Sequence, residues 1–330
     1  MYIKRNYGFF MTFLWSKNPF IFGAIYAAVI SAFYLYANVY IPLPWQPISL
    51  LGIAVAFYLG FKNNSSYDRT WEARKIWGGI VNNSRSFATA VLTMIDSGKD
   101  IDNLQFHGSM IYRHIAWLQS LQLQLRQSRP WEHKDEYIKS IVGTDVDVNF
   151  SGRICSAIAP LITEKERQSY EGKPNVASMI LHTQSLELQK ALKAGWIDST
   201  QQKRIHELIG ELYNEQGRSE RIKNFPFPRQ YASAAMWLSI VFSALVPFGL
   251  LPILVESDVH PWWNVPLSAM VIWVFFLMEK IGDYSENPFE GTFNDVPITA
   301  ISRSIEIDLR HMLGEAEIPE PIKDINGFLI

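Results

Sequence analysis

From Asn18 to Phe61 the chain carries no Asp, Glu, Lys, Arg or His. A helix crossing a bilayer needs about 20 consecutive apolar residues, so this run has room for two crossings. Pro42, Pro44 and Pro47 cluster in its middle with Trp45 and Gln46. Proline removes a backbone donor and restricts the residue before it, so helices end at such a cluster. A Trp at the break suits the aromatic belt of a membrane interface. The pattern predicts a helical hairpin, with a first span at about Pro19–Ile41, a short outer turn, and a second span from about Ile48.

A second uncharged run lies between Arg229 and Glu256 and predicts a third span at about Tyr231–Leu251, with Pro247 and Gly249 allowing a bend near its end. Trp262–Met278 predicts a shorter fourth span opened by Trp262 and Trp263. Composition fits a chain partly in lipid and partly in water: 48% of residues are hydrophobic, and 19% are charged, below the usual quarter. Lys4, Arg5 and Lys17 precede the first span, Lys62, Arg69, Arg74 and Lys75 follow the second, and Arg221, Lys223 and Arg229 precede the third. The two opposite turns carry no Lys or Arg. Basic flanks stay in the cytosol, so both termini and the central region are expected there. The apolar stretch Tyr7–Trp15 is interrupted by Lys17, and no small-x-small cleavage pattern follows before the next span. It reads as an amphipathic segment at the membrane surface rather than a cleaved leader.

Beyond the second span no proline occurs until Pro130, and Tyr67–Ile95 is amphipathic. The second helix is therefore expected to continue out of the membrane, with Gly60 and Asn63–Ser66 as places where it can bend. Further helices are expected at about 101–127, 131–141, 151–169, 174–193 and 198–216, with Gly143 and Gly172 in turns. No β-rich segment, internal repeat or low-complexity tract is seen.

Chemistry is sparse. A net charge of −2 argues against a nucleic-acid binder. Cys155 is the single cysteine, which excludes an intrachain disulfide and a Cys-rich zinc site and fits a reducing compartment. His107, His114, His133, His182, His206, His260 and His311 show no metal-binding spacing, and neither a nucleophile elbow nor a phosphate-binding glycine loop occurs. Glu315 and Glu317, two apart, face different ways on a helix. Glu72, Arg74 and Lys75 read as interhelical or intersubunit ion pairs. No catalytic set, cofactor or metal is expected, and the chain does not read as an enzyme.

Several motifs, in order, resemble the bestrophin family. The second span and its exit read Leu51–Phe61, then Lys62-Asn63-Asn64, Tyr67, Arg69, Glu72-Ala73-Arg74-Lys75 and Trp77-Gly78. Asn287-Pro288-Phe289 and Asn294-Asp295-Val296-Pro297 follow the fourth span, then Ile305–Leu309 and Glu315–Pro319. Their order and spacing are similar to bacterial members over nearly the whole chain. The resemblance implies a homopentameric ion channel in the bacterial inner membrane, with lipid and permeant monovalent ions as its other partners and no nucleic acid. It also implies a hydrophobic neck lined by the second helix, at Ile53, Phe57 and Phe61. Their i, i+4, i+8 spacing puts all three on one stripe. A second, cytosolic restriction would fall near Thr200 or Gln201, polar here where bacterial relatives look apolar. Eukaryotic members carry an acidic calcium clasp after the fourth span. Glu286–Asp295 lacks that unbroken acidic run, and Glu290 and Asp295 alone fall short of the six to eight oxygens calcium takes. No calcium activation is expected.

The fold class expected is an all-α integral membrane protein, with about four transmembrane helices per subunit and a cytosolic helical bundle, in a bestrophin-like pentameric channel. The divisions are 1–18, a cytosolic amphipathic N-terminus; 19–62, a transmembrane hairpin; 63–228, a cytosolic helical region; 229–281, spans three and four; and 282–330, a cytosolic C-terminal segment. Asp68, just inside the neck, is a candidate charge ring, with Lys62 and Arg69 as neighbours able to cancel it. Vertebrate members look anion-selective and some bacterial ones cation-selective, so monovalent cations such as sodium are expected, with chloride as the alternative. A secondary transporter is a more distant reading, because the spans carry no ionisable group at mid-membrane. A membrane-anchored enzyme or scaffold is more distant again.

Overall fold

A computed structural model describes residues 1–133 and 150–329. Among these the regular structure is helical, with isolated bridges pairing Phe328 with Tyr2 and Ile325. In chain order the helices are α1 (Phe9–Ala37), α2 (Trp45–Met94), α3 (Asp100–Arg126), α4 (Phe150–Ile158), α5 (Glu164–Tyr170), α6 (Val176–Lys193), α7 (Ser199–Asn224), α8 (Arg229–Glu256), α9 (Asn264–Asp283) and α10 (Ile298–Met312). The helix expected at 131–141 lies almost wholly outside the described residues; 131–133 form a turn. The chain divides into two compact units, one of Lys4–Arg69 and Pro226–Glu286, the other of Met1–Ile3, Thr70–Phe225 and Asn287–Ile330.

In the first unit three helical stretches are long and apolar enough to cross a membrane: Phe9–Ala37, Arg229–Glu256 and Pro261–Asp283. The expected second span is not among them. It forms the start of α2, whose apolar stretch begins only at Trp45 and ends at Lys62. α2 continues without interruption through Gly60 and Asn63–Ser66, a length of about 75 Å at 1.5 Å per residue. Similarly, α8 runs on through Pro247 and Pro252 to Glu256.

The expected boundary at residue 18 falls inside α1, which breaks helical geometry at Ser16 (φ −115°, ψ 15°) and then continues. Pro19 is the cause, because it has no N–H to give the carbonyl of Trp15, four residues back. Lys280 Nζ donates to that carbonyl at 2.7 Å and sits 4.3 Å from the Trp15 ring centroid. Trp273 Nε1 donates to Ser16 Oγ at 2.9 Å, so α9 satisfies the break from outside α1. Further along, buried Asn264 joins three helices. Its Nδ2 donates to Ser31 Oγ (3.3 Å) and to the Pro247 carbonyl (3.2 Å), and Oδ1 accepts from Ser268 (2.9 Å). Lipid gives apolar helices little reason to associate, so such bonds and close packing hold them.

The second unit is built on a conventional core that includes Trp77, Phe87, Met110, Trp117 and Ile209, all fully buried. Trp117 Nε1 donates to Gln216 Oε1 at 2.9 Å, and Gln216 Nε2 donates to Ser178 Oγ at 2.8 Å, linking α3, α7 and α6. His114 is fully buried against Phe87 and Ser84, and burial pushes its pKa down to about 3, so it is a neutral core residue. The helix expected at 151–169 is two helices, because Pro160 ends the first and Thr163 caps the second by accepting from Glu166 N at 3.3 Å. α7 outruns its expected end at 216: Gly217 alone does not stop it, and the chain turns only before Pro226 and Pro228.

Two outcomes test these contacts. Replacing Asn264 with Leu removes two interhelical bonds and one within α9, leaves the buried Pro247 carbonyl without its donor, and should lower stability by about 1–2 kcal/mol, read by unfolding in mixed micelles. The second concerns Glu166. Burial opposes its charge, but Arg113 (Nε–Oε1 2.6 Å, Nη2–Oε2 2.8 Å) and Tyr170 hold its carboxyl below the ordinary 4.5. A depressed folded-state pKa contributes stability that is complete above the unfolded value and disappears as pH falls through the folded one. Melting temperature should therefore fall below about pH 4.5 in the native protein, and Glu166→Gln should flatten that fall while lowering stability at neutral pH.

Candidate pore-lining helix

The first half of α2 has two faces. Ile48, Gly52, Val55, Leu59, Lys62 and Ser66 recur every three or four residues and are all buried. This face packs on α8, where Phe242 presses so closely that a Cβ at Gly52 would lie 2.7 Å from its ring. Tyr58 stacks near Tyr231, with ring centroids 4.5 Å apart. The remaining face carries Leu50, Ile53, Phe57 and Phe61, with exposures of 66% for Ile53, 68% for Phe57 and 56% for Phe61. The two Phe rings meet edge to face at 5.2 Å. Three large apolar side chains in a row are thus left uncovered by the chain's own helices.

Asp68 is exposed about two turns beyond the stripe and accepts from Asn64 Nδ2 at 3.4 Å. Lys62 is not its counterweight: it is fully buried about 120° around α2 from it, where its Nζ lies 2.9 Å from Glu279 Oε1 and 3.9 Å from Asp283 Oδ1. Sequence adjacency misleads here, because successive residues on a helix point about 100° apart. Nor is the pairing of Lys75 with Glu72 interhelical; it closes at 3.0 Å within α2.

Thr200 and Gln201 form the first turn of α7. Asp198 Oδ1 accepts from both of their backbone N–H groups, at 2.7 and 2.8 Å, and Gln201 Oε1 accepts from Asp198 N at 2.9 Å. That reciprocal arrangement is a capping box, which occupies the Gln201 side chain and leaves Thr200 exposed.

The buried carboxylates after α9 are met by donors from the protein itself. Asp295 accepts from Arg126 Nη1 (2.7 Å), Thr292 Oγ1 (2.9 Å) and Gly291 N. Glu290 accepts from His133 N (2.7 Å) and Nδ1 (2.9 Å), and burial raises its carboxyl pKa against that pull. Lys223 pairs with buried Glu132 beside the same segment. Among the described residues no three His, Cys, Asp or Glu side chains are grouped to hold a metal ion.

Comparison with known proteins adds an independent line. Residues 17–311 match the family described as Bacterial/Fungal Bestrophin protein. The voltage-dependent anion channel-forming protein RSc3414 of Ralstonia nicotianae is 30% identical over 84% of this chain and 79% of its own length. The voltage-dependent anion channel-forming protein YneE of Escherichia coli K12 is 27% identical over 89% and 85%. The crystal structure of a bacterial bestrophin homologue from Klebsiella pneumoniae shares the fold, with a TM-score of 0.74 at 22% identity, covering 91% of this chain and 98% of that one. The chain therefore belongs to the bacterial and fungal bestrophin family, a family of membrane channels rather than enzymes.

Proposed function

We propose that copies of this chain assemble around a central axis and conduct small ions, with Ile53, Phe57 and Phe61 forming the narrow part of the conduit. The observation that carries this is the uncovered apolar stripe of α2, opposite the face packed on α8. In an assembly of five the stripe becomes three stacked apolar rings. A narrow tube of that kind disfavours water, and an ion cannot shed its hydration shell inside it, so it gates by dewetting. Residues 1–18, 63–228 and 282–330 are assigned to the cytosol, and the start of α2 completes a set of four crossings of the bacterial inner membrane. Thr200 is free to line a cytosolic restriction, whereas the Gln201 side chain is engaged by its own helix terminus.

For the permeant ion we favour anions, on the strength of relatives named as anion channel-forming proteins. A second reading, monovalent cations such as sodium, is favoured by one observation. Asp68 stands exposed near the stripe, and the Lys62 charge is spent on α9.

Two measurements test these readings. In planar bilayers, Phe57→Ala with Phe61→Ala should raise conductance at least about tenfold, equivalent to roughly 1.4 kcal/mol off the permeation barrier; an unchanged conductance sinks the neck. Under a tenfold KCl gradient the reversal potential should take the chloride sign, and Asp68→Asn should leave it or shift it further that way. A reversal at the potassium potential that collapses in Asp68→Asn supports the cation reading instead.

A further inference from the structure

Lys62 follows Phe61 directly, so it leaves α2 about 100° around the helix from the neck stripe. Its side chain is 0% exposed, and among the described residues its charge is met from α9, through Glu279 at 2.9 Å and Asp283 at 3.9 Å. Glu279 and Asp283 are four residues apart and so share one face of α9. Between them Gly282 lets the helices touch: a Cβ there would overlap Asn63 Oδ1 and lie 3.4 Å from Lys62 Cγ. The neighbouring α2–α8 contact is mainly apolar, with one hydrogen bond from the Tyr58 hydroxyl to the Tyr231 carbonyl at 3.4 Å. The Lys62 pair adds an electrostatic constraint, because a buried ammonium turned away from its carboxylate is left desolvated and unpaired.

We propose that Lys62, Glu279 and Asp283 form a latch that sets the rotation of α2 and so keeps Phe57 and Phe61 turned into the conduit. These are positioning residues, and their role rests on the neck reading above. Removing the Glu279 charge while leaving Lys62 drives the ammonium toward water. α2 rotates to hydrate it, and that rotation swings the neck side chains off the axis. Removing both charges with side chains of similar size abolishes the drive and leaves the neck closed.

The test uses the whole protein in planar bilayers in symmetric KCl, where current is read whichever ion carries it. Glu279→Gln should raise conductance at least tenfold, approaching the Phe57→Ala/Phe61→Ala protein, and Lys62→Met/Glu279→Met should return it to the native level. Accessibility of Phe57→Cys to a charged thiol reagent, in a Cys155→Ser background, should fall with Glu279→Gln and recover in the double variant. Glu279→Gln that elutes at the native assembly size and conducts as the native protein does overturns the latch, and so does a double variant as leaky as the single. Should Glu279→Gln not fold, Asp283→Asn, which removes only the more distant carboxylate, must show a smaller rise, and no rise overturns the proposal equally. If the Phe57→Ala/Phe61→Ala protein itself conducts no more than the native one, the neck reading fails and the latch falls with it. If that variant leaks while Glu279→Gln does not, the latch alone is wrong.

Discussion

A helix with two apolar faces needs protein, lipid or another copy of the chain against each. In α2 one face is covered within the chain, by Phe242 and Val246 against Gly52, Val55 and Leu59. The other, from Leu50 to Phe61, is not. An apolar face in lipid carries little penalty, which is why such a helix is tolerated, but it then has no direction to prefer. Direction comes from the polar and small residues on the covered side. Gly52 admits a ring, Tyr58 meets Tyr231, and Lys62 finds its carboxylates. The direction of the uncovered face is set by what lies behind it.

Much of the architecture could be read from charge alone. The stretches that became α1, α8 and α9 lack charged residues over the length a bilayer demands, and prolines and tryptophans mark where they turn. What could not be read were events in which a distant residue repairs a local defect. Lys17 and Pro19 looked like the edge of a span, yet the helix passes through because Lys280 serves the orphaned Trp15 carbonyl. Pro160 was read through, and there the helix ends at Ile158.

The same limit applies to the candidate site. The i, i+4, i+8 stripe was legible because it is a property of one helix. The place of Lys62 was not, since its partners lie 217 residues away and on the side of α2 that a linear reading cannot see. Likewise the partners of Glu290 and Asp295, His133 and Arg126, lie 157 and 169 residues away. Buried charges name their partners only in three dimensions.

The break at Ser16 also bears on how the protein is made. The Trp15 carbonyl and the Ser16 hydroxyl find their donors on Lys280 and Trp273, up to 265 residues further along the chain. In a chain made from its N-terminal side onward, α1 is synthesised before the α9 donors that complete its break. The finishing of α1 thus waits on a helix that lies 257 to 265 residues further along the chain.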